Sequence, residues 1–189
     1  LAAPNDTSPT LWSMDDGDRN LVDRFVAGLV DPADQNLIVA GERYYDEGQN
    51  IGLTLRKLDG RGRTVWDKIY NNKNFEAVLK VIPVEKGFTL LANTGAPKIA
   101  SAVWIGFFDN SGAHLKEKAL KPPKGALKGF DMIPLNNAKS FLLTGQVTDG
   151  GEAPYTVLYR LDRNAGVVSR KSYQMGLENG LLSLSAAKG

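Results

Sequence analysis

Arg24, Glu76 and Lys128 stand 52 residues apart, each just ahead of a short apolar segment, and Asp131 lies a little further inside the last one. Gly180 holds the equivalent fourth place. Charges of both signs carried by a repeat converge on its axis, where they can bind a polar ligand or an ion; pairing with one another in water is the structural alternative. Arg43-Tyr44-Tyr45-Asp46-Glu47 sets two aromatics beside both signs of charge on one expected loop. Tyr and Arg are enriched at binding hot spots, and tyrosines that only cover a neighbouring unit would read the same way.

Other chemistry is thinly represented. The run Asp15-Asp16-Gly17-Asp18 offers oxygens that calcium could take, but it lacks the alternation and distal Glu of a calcium loop, and a solvated turn is expected. No other cofactor is evident. One histidine, His114, and no cysteine leave little for a metal centre. No phosphate loop or dinucleotide fingerprint occurs. No catalytic residue can be assigned, and the balance is against catalysis by this chain alone.

The elements that position these residues come from an internal repeat. Apolar segments begin at 25, 77, 129 and 181, each step being 52. A turn follows each of the first three. A second apolar strand comes next, in which Ile38-Val39-Ala40-Gly41 matches Leu90-Leu91-Ala92-Asn93 and Leu142-Leu143-Thr144-Gly145. A third strand ends in Asp59-Gly60-Arg61-Gly62, Asp109-Asn110-Ser111-Gly112 or Asp162-Arg163-Asn164-Ala165-Gly166. There the Asp side chain accepts a backbone amide bond and Gly supplies the positive φ of a short hairpin. A fourth, alternating strand leaves the hairpin. Four antiparallel strands per unit at this spacing predict β-propeller blades. A β-sandwich would not need its turns to recur in register. The fold class is therefore all-β: three complete blades at about 25–70, 77–120 and 129–173, an outer strand at 10–14, the start of a fourth unit at 181–187, and a flexible lead at 1–10, within a propeller segment spanning 11–189.

The wording of Leu37-Ile38-Val39-Ala40-Gly41, Leu55-Arg56-Lys57-Leu58-Asp59-Gly60-Arg61-Gly62 and Trp66 resembles the blade repeat of exported bacterial propeller proteins. The resemblance is closest in the first unit. In the second, Lys116 stands in place of Trp66 and Asn93 in place of Gly41; in the third, Arg170 takes the Trp position. Such propellers serve as platforms, scaffolds and enzymes, so the fold does not choose a function. The resemblance implies a periplasmic or secreted protein.

Closed propellers need at least about four blades, so a second chain or another copy is expected to complete this one. Cleavage near Lys188-Gly189, inside an expected turn, is one origin for such a partner. With 23 basic and 21 acidic residues and a net charge of +2, neither nucleic acid nor a membrane surface is indicated as partner. The basic stretch from Lys116 to Lys128 lacks the interleaved aromatics of a nucleic-acid surface. No apolar run approaches the length of a membrane span. The leading expectation is a binding or scaffold module presenting long loops to a protein or carbohydrate. The alternative is the N-terminal chain of a processed propeller hydrolase or oxidoreductase.

Overall fold

The computed structural model describes residues 22–45, 50–70, 75–96, 99–150, 153–174 and 184–185. The expected outer strand at 10–14, the acidic cluster at 15–18 and most of 181–187 lie outside the described residues.

Twelve strands form three four-stranded antiparallel sheets, with no helix among the described residues. The first sheet holds β1 (Val22–Val30), β2 (Leu37–Tyr45), β3 (Asn50–Leu58) and β4 (Thr64–Tyr70), side by side in chain order. The second holds β5 (Phe75–Val84), β6 (Gly87–Ala96), β7 (Ile99–Phe108) and β8 (His114–Leu120). The third holds β9 (Ala126–Leu135), β10 (Ser140–Thr148), β11 (Tyr155–Asp162) and β12 (Val167–Tyr173). The sheets stack in succession. β5 packs on β1, β2 and β3, and β9 packs on β5, β6 and β7. First strand against first strand, with the meander running outward from it, is the blade arrangement of a propeller.

The inner strands begin at 22, 75 and 126, two or three residues before the expected starts. Arg24, Glu76 and Lys128 therefore sit inside strands and not on loops ahead of them. Arg43, Tyr44 and Tyr45 likewise belong to the end of β2, where pairing continues to Tyr45 opposite Asn50. β-Prone tyrosines extend the ladder where a loop was expected.

Alternation gives every blade two faces. Ile38, Leu55, Phe88, Leu90, Trp104 and Phe108 form the core between blades one and two. Ile105, Phe107, Met132, Phe141, Leu143 and Tyr159 belong to the core between blades two and three. Full burial of such a side chain stabilises by about 1.5–3 kcal/mol, so the interfaces between blades are the hydrophobic core.

The Asp hairpins repeat atom for atom. Asp59 accepts the amides of Arg61 and Arg63, Asp109 those of Ser111 and Ala113, and Asp162 those of Asn164 and Gly166. Gly62 and Gly112 take φ of 77° and 78°, but in the third hairpin the left-handed residue is Ala165 at 60° and not a glycine. That conformation costs an alanine about 1–2 kcal/mol; its methyl group is fully buried in the core between blades two and three.

The outer strands of blades one and two dock on the next hairpin. Trp66 Nε1 donates to the Asn110 carbonyl at 3.2 Å, and the Tyr70 hydroxyl donates to the Gly112 carbonyl. Lys116 repeats the contact by other means: its ammonium lies 4.7 Å from the centre of the Phe107 ring and donates to the Asn164 side chain. In the third blade the place belongs to Ser169 and not to Arg170. The pairs Lys57–Trp66, Phe107–Lys116 and Arg160–Ser169 are equivalent. A one-residue slip moves a strand side chain to the opposite face. Arg170 turns instead to the Tyr155 and Tyr159 rings and donates to the Tyr155 hydroxyl at 2.8 Å.

Lys57 is buried, with its ammonium 2.6 Å from Asp31 and 2.8 Å from Asp34. Asp31 is buried too and also accepts the Ala33 amide, which closes the β1–β2 turn. Removing the cation leaves a buried carboxylate uncompensated. Lys57→Met should cost about 3–5 kcal/mol, measured as a fall in the urea midpoint. A change below about 1 kcal/mol would show that this pair does not hold the turn to the sheet.

Candidate functional site

The inner strands carry a bulge at matching places. Pairing with the second strand slips between Phe25 and Ala27 in β1, between Val78 and Lys80 in β5, and between Gly129 and Asp131 in β9. A bulge breaks the ladder and re-aims the side chains beside it. Two polar clusters lie there.

The first joins blades two and three. Lys80 Nζ lies 2.7 Å from Asp131 Oδ1, which also accepts the Met132 amide at 2.8 Å. Asp131 Oδ2 accepts the amide of Leu184 at 2.8 Å. Burial alone would raise the Asp131 pKa. The Lys80 ammonium and the two backbone amides outweigh it and hold the carboxyl below the ordinary carboxylate range. Asp131 is thus an ionised anchor, while the Lys80 side chain keeps 38% of its surface accessible.

The second joins blades one and two. The Tyr44 hydroxyl donates to Glu42 Oε2 at 2.6 Å, and Glu42 Oε1 accepts the Val78 amide at 3.0 Å. Glu42 is buried. The bond to Glu42, with burial and the nearby negative charge, raises the Tyr44 pKa, and a hydrogen bond to Arg24 partly offsets this. Tyr44 is therefore a proton donor that orients Glu42, and not a base.

These clusters gather the sequence-derived residues selectively. Arg24 and Tyr44 come together around Glu42. Asp131 pairs with Lys80. Lys128 is exposed on β9 opposite Gln146. Arg43 lies half-buried, next to Tyr44 but on the other face of β2. The side chains of Glu76 and Tyr45 lie outside the described residues. Sequence reasoning missed Lys80, Glu42 and Asn93. The signal for Lys80 was its place 51 residues before Asp131, one residue short of the repeat.

Asn93 does in blade two what Glu42 does in blade one. Its amide group donates to the Gly129 carbonyl at 3.2 Å and accepts the Gly129 amide at 2.7 Å. Gly129 has no room for a side chain, since a Cβ would fall 2.7 Å from Val103.

An open cleft of about 270 Å³ lies at the hairpin side of blades two and three, lined by Val84, Lys86, Phe107, Lys116, Arg163 and Asn164 among others. His114 packs among the Tyr70, Trp104 and Phe108 rings. Among the described residues no three His, Cys, Asp or Glu side chains are grouped to hold a metal, and no helix is long and apolar enough to cross a membrane.

Sheet order and stacking define the chain as a segment of a β-propeller. No protein-family model and no curated protein matches it. Among solved structures, it is similar to an ACO/RPE65 chimera at 11% identity, covering 80% of this chain and 39% of that one with a TM-score of 0.47. It is also similar to the Glu150Asp mutant of Synechocystis apocarotenoid oxygenase, at 12% identity, 79% and 39% coverage and a TM-score of 0.46. The cobalt-substituted Synechocystis enzyme gives 12%, 79%, 38% and 0.43. The chain thus spans about two-fifths of these proteins' length.

Asp131 should titrate below the usual Asp range in a carbon-detected carboxyl experiment. Lys80→Met should move its pKa upward. Because the folded value is lowered, the stability it contributes is present above about pH 4 and lost as pH falls through the folded value. An unshifted titration would contradict the anchor.

Proposed function

We propose that this chain contributes three blades to a larger propeller and that a small polar ligand is held at its inner strands. The observation that carries this reading is the Lys80–Asp131 pair: a fixed carboxylate beside an ammonium that remains partly open to solvent. Arg24, exposed beside Tyr44 and Glu42, supplies a second cation one blade away. A ligand with an acidic group and hydroxyls, such as an acidic saccharide, has the donors and acceptors these groups can meet. Presentation of the rim to a protein partner, and a periplasmic or secreted setting, belong to the same proposal.

A second reading makes the chain a segment of a propeller enzyme, a hydrolase or oxidoreductase whose reacting groups lie mainly on other blades. Asp131 favours it, because an ionised carboxylate on an inner strand can orient a substrate or steady a developing positive charge.

Native mass should exceed the 20.5 kDa of this chain for protein taken from its source. Titration with acidic saccharides should shift the signals of Lys80 and Asp131, and Lys80→Met should weaken binding roughly tenfold, as for the loss of one charge-assisted hydrogen bond. Binding unaffected by Lys80→Met would rule out this site. Turnover that Asp131→Asn lowers in kcat with KM unchanged would favour the second reading.

A further inference from the structure

The outer strands of blades one and two meet the next blade through different side chains, and the difference leaves space. Trp66 and Lys116 stand at equivalent places, opposite Lys57 and Phe107. The Trp66 indole is half-buried between its blade and the next. It stacks on Phe88, with ring centres 6.4 Å apart and planes 11° apart, and comes so near Gly112 that a Cβ there would lie 3.0 Å from it. Between blades two and three the Lys116 side chain replaces the indole, and the cleft of about 270 Å³ opens beside it.

The walls of this cleft are apolar and its rim is cationic. Val84, Phe107 and Leu115 line it, and Leu115 keeps 60% of its surface exposed. Lys86, Lys116 and Arg163 bring three cations against one lining carboxylate, Glu85. None of the three forms an ion pair among the described residues. The nearby Asp162 carboxylate is already taken by the amides of Asn164 and Gly166. Lys116 is held above the Phe107 ring by its bond to the Asn164 side-chain oxygen. The NH2 of Asn164 keeps its donors for another acceptor.

Blade three closes the far wall with a longer turn. β5 and β6 are joined across the pair Val84–Gly87, but β9 and β10 across Leu135–Ser140. Asn136, Asn137 and Ala138 in that turn all take left-handed φ, at 52°, 55° and 60°. Such a run is disfavoured in L-residues, and strained backbone gathers at ligand clamps. Here it sets Ala138 on the cleft wall.

We propose that this cleft binds a small aromatic carboxylate. The ring takes the place that Trp66 fills between blades one and two. The acid group meets the cations at the rim and the Asn164 NH2, which offer it charge-assisted hydrogen bonds. A cavity just below the size of drug-sized sites suits a single ring and not an extended molecule. The site lies beyond the bulges that carry Lys80 and Asp131, and it stands independently of the ligand proposed there.

The test is an NMR titration of the full chain with phenylacetate, read at the amides of Lys86, Leu115 and Asn164. Their shifts should saturate with a midpoint below about 1 mM, while the amides of Lys80 and Asp131 stay still. Phenylacetamide keeps the ring without the charge, and acetate keeps the charge without the ring; each should bind at least roughly tenfold more weakly. Arg163→Met, at an exposed position, should weaken phenylacetate by a similar factor. Lys116→Trp should abolish binding, since Trp66 shows that an indole fits at this place. Shifts that never saturate, or that both substitutions leave unchanged, overturn the site. Equal binding of phenylacetamide overturns the anion, and equal binding of acetate overturns the ring.

Discussion

The inner strands β5 and β9 each bring backbone polar groups against the buried face of the blade before them. A bulge takes those groups out of the regular ladder, and a buried N–H without a partner costs about as much as a lost hydrogen bond. Glu42 and Asn93 meet that demand at Val78 and Gly129. The dependence runs both ways, because Glu42 and Asn93 are themselves buried and need the backbone they hold. Blade stacking is therefore fixed at a polar point near the axis, and the apolar cores between blades pack around that point.

A second fixed point lies further out. The Asp-capped hairpins present carbonyls and short side chains to the preceding outer strand, which reaches them through Trp66 and Tyr70 in one blade and Lys116 in the next. With both ends pinned, a blade can neither rotate nor slide on its neighbour without breaking hydrogen bonds. Groups on the inner strands are then held with the precision that ligand binding requires. The Lys80–Asp131 pair is placed by this frame, since both residues flank bulges on strands that Glu42 and Asn93 hold.

The architecture was legible because it is written in turn chemistry. Asp59, Asp109 and Asp162 are needed wherever this hairpin occurs, whatever the blade does, so they recur and reveal the period. The four-strand, all-antiparallel make-up of each sheet followed from them. The contacts made by Glu42 and Asn93 were not legible, for two physical reasons. Glu42 and Asn93 both offer an acceptor for the equivalent backbone amide, so the residue type is free to change. The spacing between equivalent residues also departs from 52, so that Ala92 and not Asn93 corresponds to Gly41, and Ser169 and not Arg170 to Trp66. The same departure separated Lys80 from Asp131. The tyrosines were placed on a loop because the pairing that carries β2 through Tyr45 depends on Asn50 across the hairpin.

The most direct measurement is amide exchange at Val78 and Gly129. If Glu42 and Asn93 hold the blades together, both amides exchange only through large openings, as slowly as those of the central strands, and Glu42→Ala speeds Val78 without affecting Gly129. If Val78 exchanges as fast as a turn amide, or Glu42→Ala leaves it unchanged, the carboxylate does not secure the next blade and the account fails at its base.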